Sequence, residues 1–386
     1  MKVWRKVFIA VLLPAFMLIS TAFAQDKAIF DTAPTKNNGK KWRIGYYEGG
    51  EFIEYPNTLM PTVNALISLG WIEKSKIPPS KGANTSEIWK WLSENTKSQY
   101  IEFVADAHYS AKWDNALRKK TAAKIIKRLK SQKDIDLMIA MGTKAAQDIA
   151  NNQHDIPTIV LAASDPIASH IIKSTEDSGI DNVHARVDPY RYERQLRIFH
   201  DIIGFKKLGI SYRNDISGRS YSAVDKVEAI AKERGFEIVH CFIDPEQTAI
   251  EAQGKNMIEC FKELSKKVDA IYVTGQVGVN AQSIPTLVEI ANSSQIPTFS
   301  QSGSDQVRYG FLMSISQAGF KYIGQFHAET IAKIFNGAKP RQINQLFEDP
   351  PKIAINLKTA EIIGYDPPVD VLGASDEIYQ DIVSPE

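Results

Sequence analysis

The sequence predicts an α/β protein made of two Rossmann-like lobes, each a parallel sheet flanked by helices, joined by a multi-strand hinge. Three observations predict it. The chain carries a weak copy of itself: Asp136 to Gly142 (DLMIAMG) leads through a helix-sized stretch to Ile149-Ala150-Asn151 and Ile156-Pro157-Thr158, while Asp269 to Gly275 (DAIYVTG) leads through another to Ile290-Ala291-Asn292 and Ile296-Pro297-Thr298. Duplication of a strand-helix-strand unit gives paired α/β lobes, and paired lobes leave a cleft between them where a ligand can sit. Candidate strands such as Leu137 to Met141 are continuous apolar runs without alternation, the pattern of strands covered on both faces. Some 360 residues remain after an N-terminal address segment, more than a single core usually supports.

That address segment comes first. Lys2, Arg5 and Lys6 give a positive start, Val7 to Ile19 is an apolar run interrupted only by Pro14, and Ala22-Phe23-Ala24 supplies small residues for cleavage. Residues 1–24 therefore read as a cleavable signal peptide, with a run too short for the ~20 residues a bilayer span needs. No cysteine follows the cut, which argues against a lipid-modified start and for a soluble protein of a Gram-negative-type periplasm. Loss of the three positive charges turns the formal +1 into about −2, so nothing in the charge points to nucleic acid or an anionic membrane as partner. Residues 25–40 are polar and unpatterned and read as a flexible leader.

Strands and helices then alternate. Expected strands are 42–47, 100–104, 137–141 and 158–162 in the first half and 207–212, 237–242, 270–273 and 298–300 in the second. Ser220 is positioned to cap a helix carrying Val224, Val227, Ile230 and Ala231 on one face and ending at Gly235. Ile250, Met257, Ile258, Phe261 and Leu264 form the apolar stripe of the next helix. A polar insertion over 74–98 contains Pro78-Pro79 and a short helix around 86–95, whose Trp89 and Trp91 are expected to pack on the lobe, the alternative being a contact surface for a partner. A long helix spans about 319–335. Lobe 1 is expected over 41–185 and 308–345, and lobe 2 over 186–307 and 346–386. Cys241 falls in a strand and Cys260 within the following helix; an oxidising compartment permits a disulfide, but buried free thiols are the expectation.

Enzymatic constellations are missing. There is no GxGxxG after a strand, no GxxxxGK[ST], no HExxH and no GxSxG, and the seven histidines are scattered. No catalytic residue, cofactor or metal is expected. The informative chemistry lies at the carboxyl ends of the strands, where open α/β sheets bind ligands. After the first strand come Glu48, Gly49 and Gly50, followed by Phe52 and Tyr55. After the third, Gly142-Thr143 opens a helix whose backbone N–H groups and Thr143 hydroxyl suit a carboxylate. Beyond the fourth lie Ser164 and Asp165. The second lobe offers Asn214 and Ser220 after its first strand, Gln276 after its third and Gln301 after its last. The candidate ligand-binding set is thus Glu48, Gly49, Tyr55, Gly142, Thr143, Ser164, Asp165, Asn214, Ser220, Gln276 and Gln301, with Tyr46, Tyr47, Phe52 and Tyr55 as stacking surface or core.

The order of KWRIGYY, IAMGTKAA, IPTIVLAASDPIAS, KKLGISYRNDISGRS, VDAIYVTG, IPTFSQSGSDQVRYGFLMSISQAGFKYIGQFHAETIAKIFNGAKPRQI and INLKTAEIIGY resembles the substrate-binding proteins of ABC transporters with the type I periplasmic-binding fold. It is most similar to the subfamily whose characterised members bind aromatic amino acids, and the likeness covers about residues 42–375. The resemblance implies ligand contacts from Gly142, Thr143, Ser164 and Asp165 in the first lobe and Asn214 and Ser220 in the second. It also implies that the long helix packs back on the first lobe and that the segment from about Pro351 returns to the second. Where amino-acid-binding relatives carry an acidic residue after the strand ending at Val273, this chain reads Gly275-Gln276-Val277-Gly278, so an ammonium would have to turn to Asp165 or Glu48. The expectation is a monomeric, non-enzymatic periplasmic protein that closes its lobes over a small, aromatic or amino-acid-like solute and delivers it to an ABC permease in the inner membrane. The alternative is a ligand-sensing protein for a membrane receptor or kinase.

Overall fold

The computed structural model describes residues 30–74, 84–244, 249–316, 321–348 and 352–385. The signal-peptide expectation, residues 1–24, lies outside them, as do residues 25–29 of the expected leader.

The first lobe alternates β1 (Trp42–Glu48), α1 (Glu54–Ser68), α2 (Thr85–Asn95), β2 (Ile101–Ser110), α3 (Asn115–Ser131), β3 (Leu137–Met141), α4 (Gly142–Ile149), β4 (Thr158–Leu161) and β5 (Val183–Ala185). Its sheet is parallel throughout, in the order β2-β1-β3-β4-β5. β3 and β4 are buried at every position, as continuous apolar runs require.

The second lobe runs through α5 (Arg191–Ile203), β6 (Lys207–Arg213), α6 (Ile216–Tyr221), α7 (Val224–Arg234), β7 (Glu237–Ile243), α8 (Ile250–Leu264), β8 (Ala270–Val273), α9 (Ile284–Ser293), β9 (Thr298–Ser300), α10 (Ser304–Arg308) and β10 (Met313–Ile315). The chain returns to the first lobe as α11 (Lys321–Phe335), which lies along α1, then ends with β11 (Ile353–Asn356), α12 (Leu357–Ile363), α13 (Val369–Gly373) and β12 (Ser375–Tyr379). The second sheet has seven strands in the order β12-β11-β10-β9-β8-β6-β7. Unlike the first, it is not wholly parallel, because β11 pairs antiparallel with β10.

The internal repeat is visible in the hydrogen bonds. Asp136 accepts from the Arg43 backbone N–H at 2.8 Å, and Asp269 accepts from the Lys206 and Lys207 N–H groups at 3.0 and 2.9 Å. Each aspartate therefore seals the start of the strand beside its own. The two prolines match as well: Met138 N–H donates to the Pro157 carbonyl at 2.8 Å and Ile271 N–H to the Pro297 carbonyl at 3.0 Å.

Four expectations change. β10 extends the second sheet, so the return to the first lobe comes after residue 315 rather than at 308. Residues 30–40 are not a free leader: Asn336 Nδ2 donates to the Asp31 and Ala33 carbonyls at 2.9 Å, and Trp71 Nε1 donates to the Thr32 carbonyl at 2.9 Å. Ser220 does not cap α7; it lies inside α6, capped by Asp215, and Ala223 precedes α7 in the left-handed region. Finally, Cys241 and Cys260 form a disulfide with Cα atoms 5.7 Å apart. β7 is the edge strand of its sheet, and α8 covers it closely enough for the bond to close.

In the insertion, α2 matches its expected span and starts in a capping box in which the Asn84 side chain accepts from Glu87 N–H. Trp89 is fully buried against Tyr46 and Phe103. Tyr46 and Tyr47 are core residues.

Two predictions follow from the packing. Replacing both cysteines by serine removes a staple across 19 residues and lowers unfolding free energy by about 3 kcal/mol, read as a lower urea midpoint. A double variant as stable as the parent would count against the staple. At the α1–α11 crossing, a Cβ on Gly324 would sit 2.4 Å from the Pro61 carbonyl carbon, so Gly324→Ala destabilises by roughly 1–3 kcal/mol in the same assay.

Candidate functional site

The carboxyl ends of β1 to β4 and of β6, β8 and β9 converge on a cleft between the lobes, about 1030 Å³ counting its open mouth. Rings supply much of the wall: Phe52 and Tyr55 meet edge to face at 5.5 Å, Trp113 comes from the segment after β2, Tyr192 from α5 and Tyr221 from α6.

The glycines after β1 act on the cleft at one remove. A Cβ on Gly50 would lie 2.6 Å from the Trp113 indole, and one on Gly49 would lie 3.2 Å from Lys144 Cβ. Their bareness lets Trp113 lie flat against the loop, where its Nε1 donates to the Glu51 carbonyl at 2.8 Å. Gly142 does the same for Tyr55. Its φ is +83°, and a Cβ there would stand 2.0 Å from the Tyr55 hydroxyl oxygen.

Of the residues expected from sequence, Tyr55, Thr143, Ser164 and Gln301 line the cleft. Gln301 braces two of its loops, accepting from Gly275 N–H at 2.7 Å and donating from Nε2 to the Tyr221 carbonyl at 2.7 Å. The Ser164 carbonyl accepts from the Tyr192 hydroxyl at 3.0 Å, joining the lobes.

The rest stand elsewhere. Glu48 is buried beneath the cleft, accepting from the Tyr46 hydroxyl at 2.9 Å and the Thr85 hydroxyl at 2.6 Å, and burial pushes its carboxyl up. Asp165 turns back on its own segment and accepts from Ile167 and Ala168 N–H at 3.1 and 2.9 Å. Asn214 is exposed, away from the cleft. Ser220 meets the Ser169 hydroxyl at 2.6 Å across the lobes, and Gln276 donates to the Ser222 hydroxyl. Gly49 and Gly142 make room for ring and lysine rather than lining the cavity.

The wall also holds charges that sequence reasoning missed: Lys144, Arg186, Arg191 and Arg213, with Glu54 as its carboxylate. Lys144 directly follows Thr143, and its Nζ sits 5.7 Å from the Trp113 ring centroid. Burial, then Arg213 and Arg118, push its ammonium down to about 8. Arg213 is held by Asp215 at 2.8 Å. Glu54, the first residue of α1, is pushed up by burial against the pull of Arg191 and Arg186. Only Arg213 had a sequence signal, since it closes the strand ahead of Asn214, and alternation sends the two side chains to opposite faces.

Among the described residues, no group of three His, Cys, Asp or Glu side chains is placed to hold a metal ion, and no helix is long and apolar enough to cross a membrane.

Comparison with known proteins agrees with the two-lobed architecture. The tyrosine-binding protein of Clostridioides difficile strain R20291 is 27% identical over 230 residues, 59% of this chain and 63% of that protein, so this chain spans less than two thirds of that relative's length. Among solved structures, an ABC domain in complex with L-Trp from Streptococcus pneumonia aligns with TM-score 0.66 at 20% identity, covering 88% of this chain and 100% of the other. A conserved domain protein from Vibrio cholerae aligns with the same score at 18% identity, covering 88% and 100%. The family described as ABC transporter substrate binding protein matches residues 96–378. With most of its length accounted for in that way, this chain belongs to the ABC transporter substrate-binding protein family.

Proposed function

We propose that this protein is the periplasmic solute-binding component of an ABC importer, reaching its compartment by the signal peptide, and that it closes its lobes over an aromatic solute bearing an acidic group. The observation that carries this reading is the cleft wall itself. Ring faces of Phe52, Tyr55, Trp113, Tyr192 and Tyr221 supply stacking surface, while the start of α4 with Thr143 and Lys144 supplies donors and charge for an acid. The tyrosine and L-Trp in the names of its relatives belong to the same chemical class. No step of bond making is needed; the role is capture by differential affinity for the closed state and release to a permease. The disulfide supports an oxidising compartment.

Native mass spectrometry of the protein purified from cells, followed by a thermal-shift series, tests the reading. Recovery of one aromatic acid per chain is expected, and the added acid raises the unfolding free energy by about 2.7 kcal/mol at a hundredfold excess over its Kd. A response confined to non-aromatic solutes, or chemical turnover of the bound compound, overturns it. Gly142→Ala, which pushes the Tyr55 ring into the cavity, weakens binding at least tenfold with folding intact by circular dichroism.

The pH dependence has a definite sign. Lys144 keeps its proton below about 8 and faces Arg213, Arg118, Asp215 and Asp148, so affinity for an acid falls as pH rises through that value. Empty protein gains stability over the same rise toward 10.5, because the unfolded chain holds that proton longer. Titration calorimetry at pH 7 and pH 9 reads the first effect.

A further inference from the structure

The near-even charge of the whole chain conceals one uneven element. Residues 112–133, which contain α3, hold nine lysines and arginines against a single acid, Asp114. The two arginines are half-buried and engaged: Arg118 meets Asp148 at 2.8 Å, and Arg128 meets Asp106 and Asp134 at 2.9 and 2.8 Å. The seven lysines are all exposed, and among the described residues none of them forms an ion pair. Lys119 and Lys130 stand about three turns apart and Lys120 and Lys127 about two, so these four make two adjacent rows on the outward side of the helix.

Other helices of the chain treat their lysines differently. On α8, Lys255 meets Glu251 at 2.7 Å and Lys262 meets Glu259 at 2.8 Å; on α11, Lys333 meets Glu329 at 3.9 Å; on α12, Lys358 meets Glu361 at 2.8 Å. On α3 the neighbours one turn away are again lysines, as in Lys120 and Lys124, Lys124 and Lys127, and Lys127 and Lys130. Like charges at that spacing destabilise a helix, and a polyanion laid against the face would relieve the repulsion.

The chemistry of that polyanion follows from what the face lacks. Its four central lysines line neither the cleft nor two further cavities of the molecule, so no single anion is enclosed. The one aromatic residue of the stretch, Trp113, is buried, which leaves no ring for stacking a nucleic-acid base. Leu117 is its one exposed large apolar side chain, too little for a helix that sinks into a bilayer. What remains is a stripe of flexible ammonium groups along about 25 Å of helix, suited to a planar array of negative headgroups. Going beyond the importer reading above, we propose that the α3 face of the first lobe docks on an anionic phospholipid surface. Trp113, just ahead of the Asp114 cap of α3, lines the cleft, so adsorption through α3 keeps the cleft within one helix length of the bilayer.

Co-sedimentation of the purified protein with vesicles tests it. At low salt, partition onto phosphatidylcholine vesicles containing about 30% phosphatidylglycerol is expected to be roughly tenfold or more stronger than onto phosphatidylcholine alone, and to fade as salt screens the exposed charges. The combined change Lys119→Gln, Lys120→Gln, Lys127→Gln and Lys130→Gln abolishes the preference and leaves the urea midpoint no lower than the parent's. The same loss of four charges in the second lobe, at Lys255, Lys262, Lys266 and Lys267, leaves the preference intact. Equal partition onto both vesicles, partition onto neither, or an equal loss in the second-lobe variant overturns the proposal. Binding to polyglutamate without binding to vesicles also overturns it and assigns the face to an acidic protein. None of these readouts involves the cleft, so their failure leaves the importer reading standing.

Discussion

Two backbone hydrogen bonds hold the connecting segments together: Val187 N–H donates to the Gln345 carbonyl at 2.8 Å, and Phe347 N–H donates to the Val187 carbonyl at 2.9 Å. The Gln345 side chain, wholly buried, accepts from Ala185 N–H at 3.3 Å and donates to the Ser174 carbonyl at 3.2 Å. With these polar groups satisfied, the segments form a short ribbon rather than a pair of loose tethers. A ribbon of paired segments allows rotation of one lobe against the other and resists sliding. The strand ends of both sheets can therefore face each other only across one cleft, and every contact described for the site depends on that restriction.

Within the cleft, geometry and electrostatics arise from different parts of the chain. Shape comes from glycines that bring rings close to backbone, Gly49 and Gly50 for Trp113 and Gly142 for Tyr55. Charge comes from residues immediately beside those positions or at the hinge, such as Lys144 and Arg186. The lobes also touch directly: Tyr192 reaches the Ser164 carbonyl, Ser220 meets Ser169, and Asn57 donates to Asp305. These bonds join the lobes directly, so they belong to the state in which the lobes are together.

Sequence patterning was legible for the strands that alternate with helices along the two halves. The eight expected strands all exist; β3, β4, β8 and β9 are buried at every position, while the edge strands β2 and β7 are only partly covered. The strands it did not supply are three residues long, as in β5 and β10, or lie toward the margin of the second sheet, where β12 alternates between partly buried and exposed positions. Within the site, small polar residues at strand ends were readable, and Thr143, Ser164 and Gln301 are in place. Asp165 was misleading for a local reason: an aspartate ahead of a proline turn is consumed by its own backbone. Apart from Arg213, the cationic residues were not readable, because a lysine or arginine in sequence resembles any solvated charge until tertiary packing encloses it. The same holds for Cys241 and Cys260, whose pairing depends on how α8 seats against the edge strand.

The duplicated unit also has a consequence for how the two walls differ. In the first copy α4 begins on the residue after β3, whereas in the second, ten residues, 274–283, separate β8 from α9. Halves with matching sequence patterns thus meet the groove with unlike faces, a helix start on one side and an irregular loop on the other. A binding pocket without internal symmetry imposes one orientation on an elongated guest, so the same end of each captured molecule is presented at the opening every time the halves part.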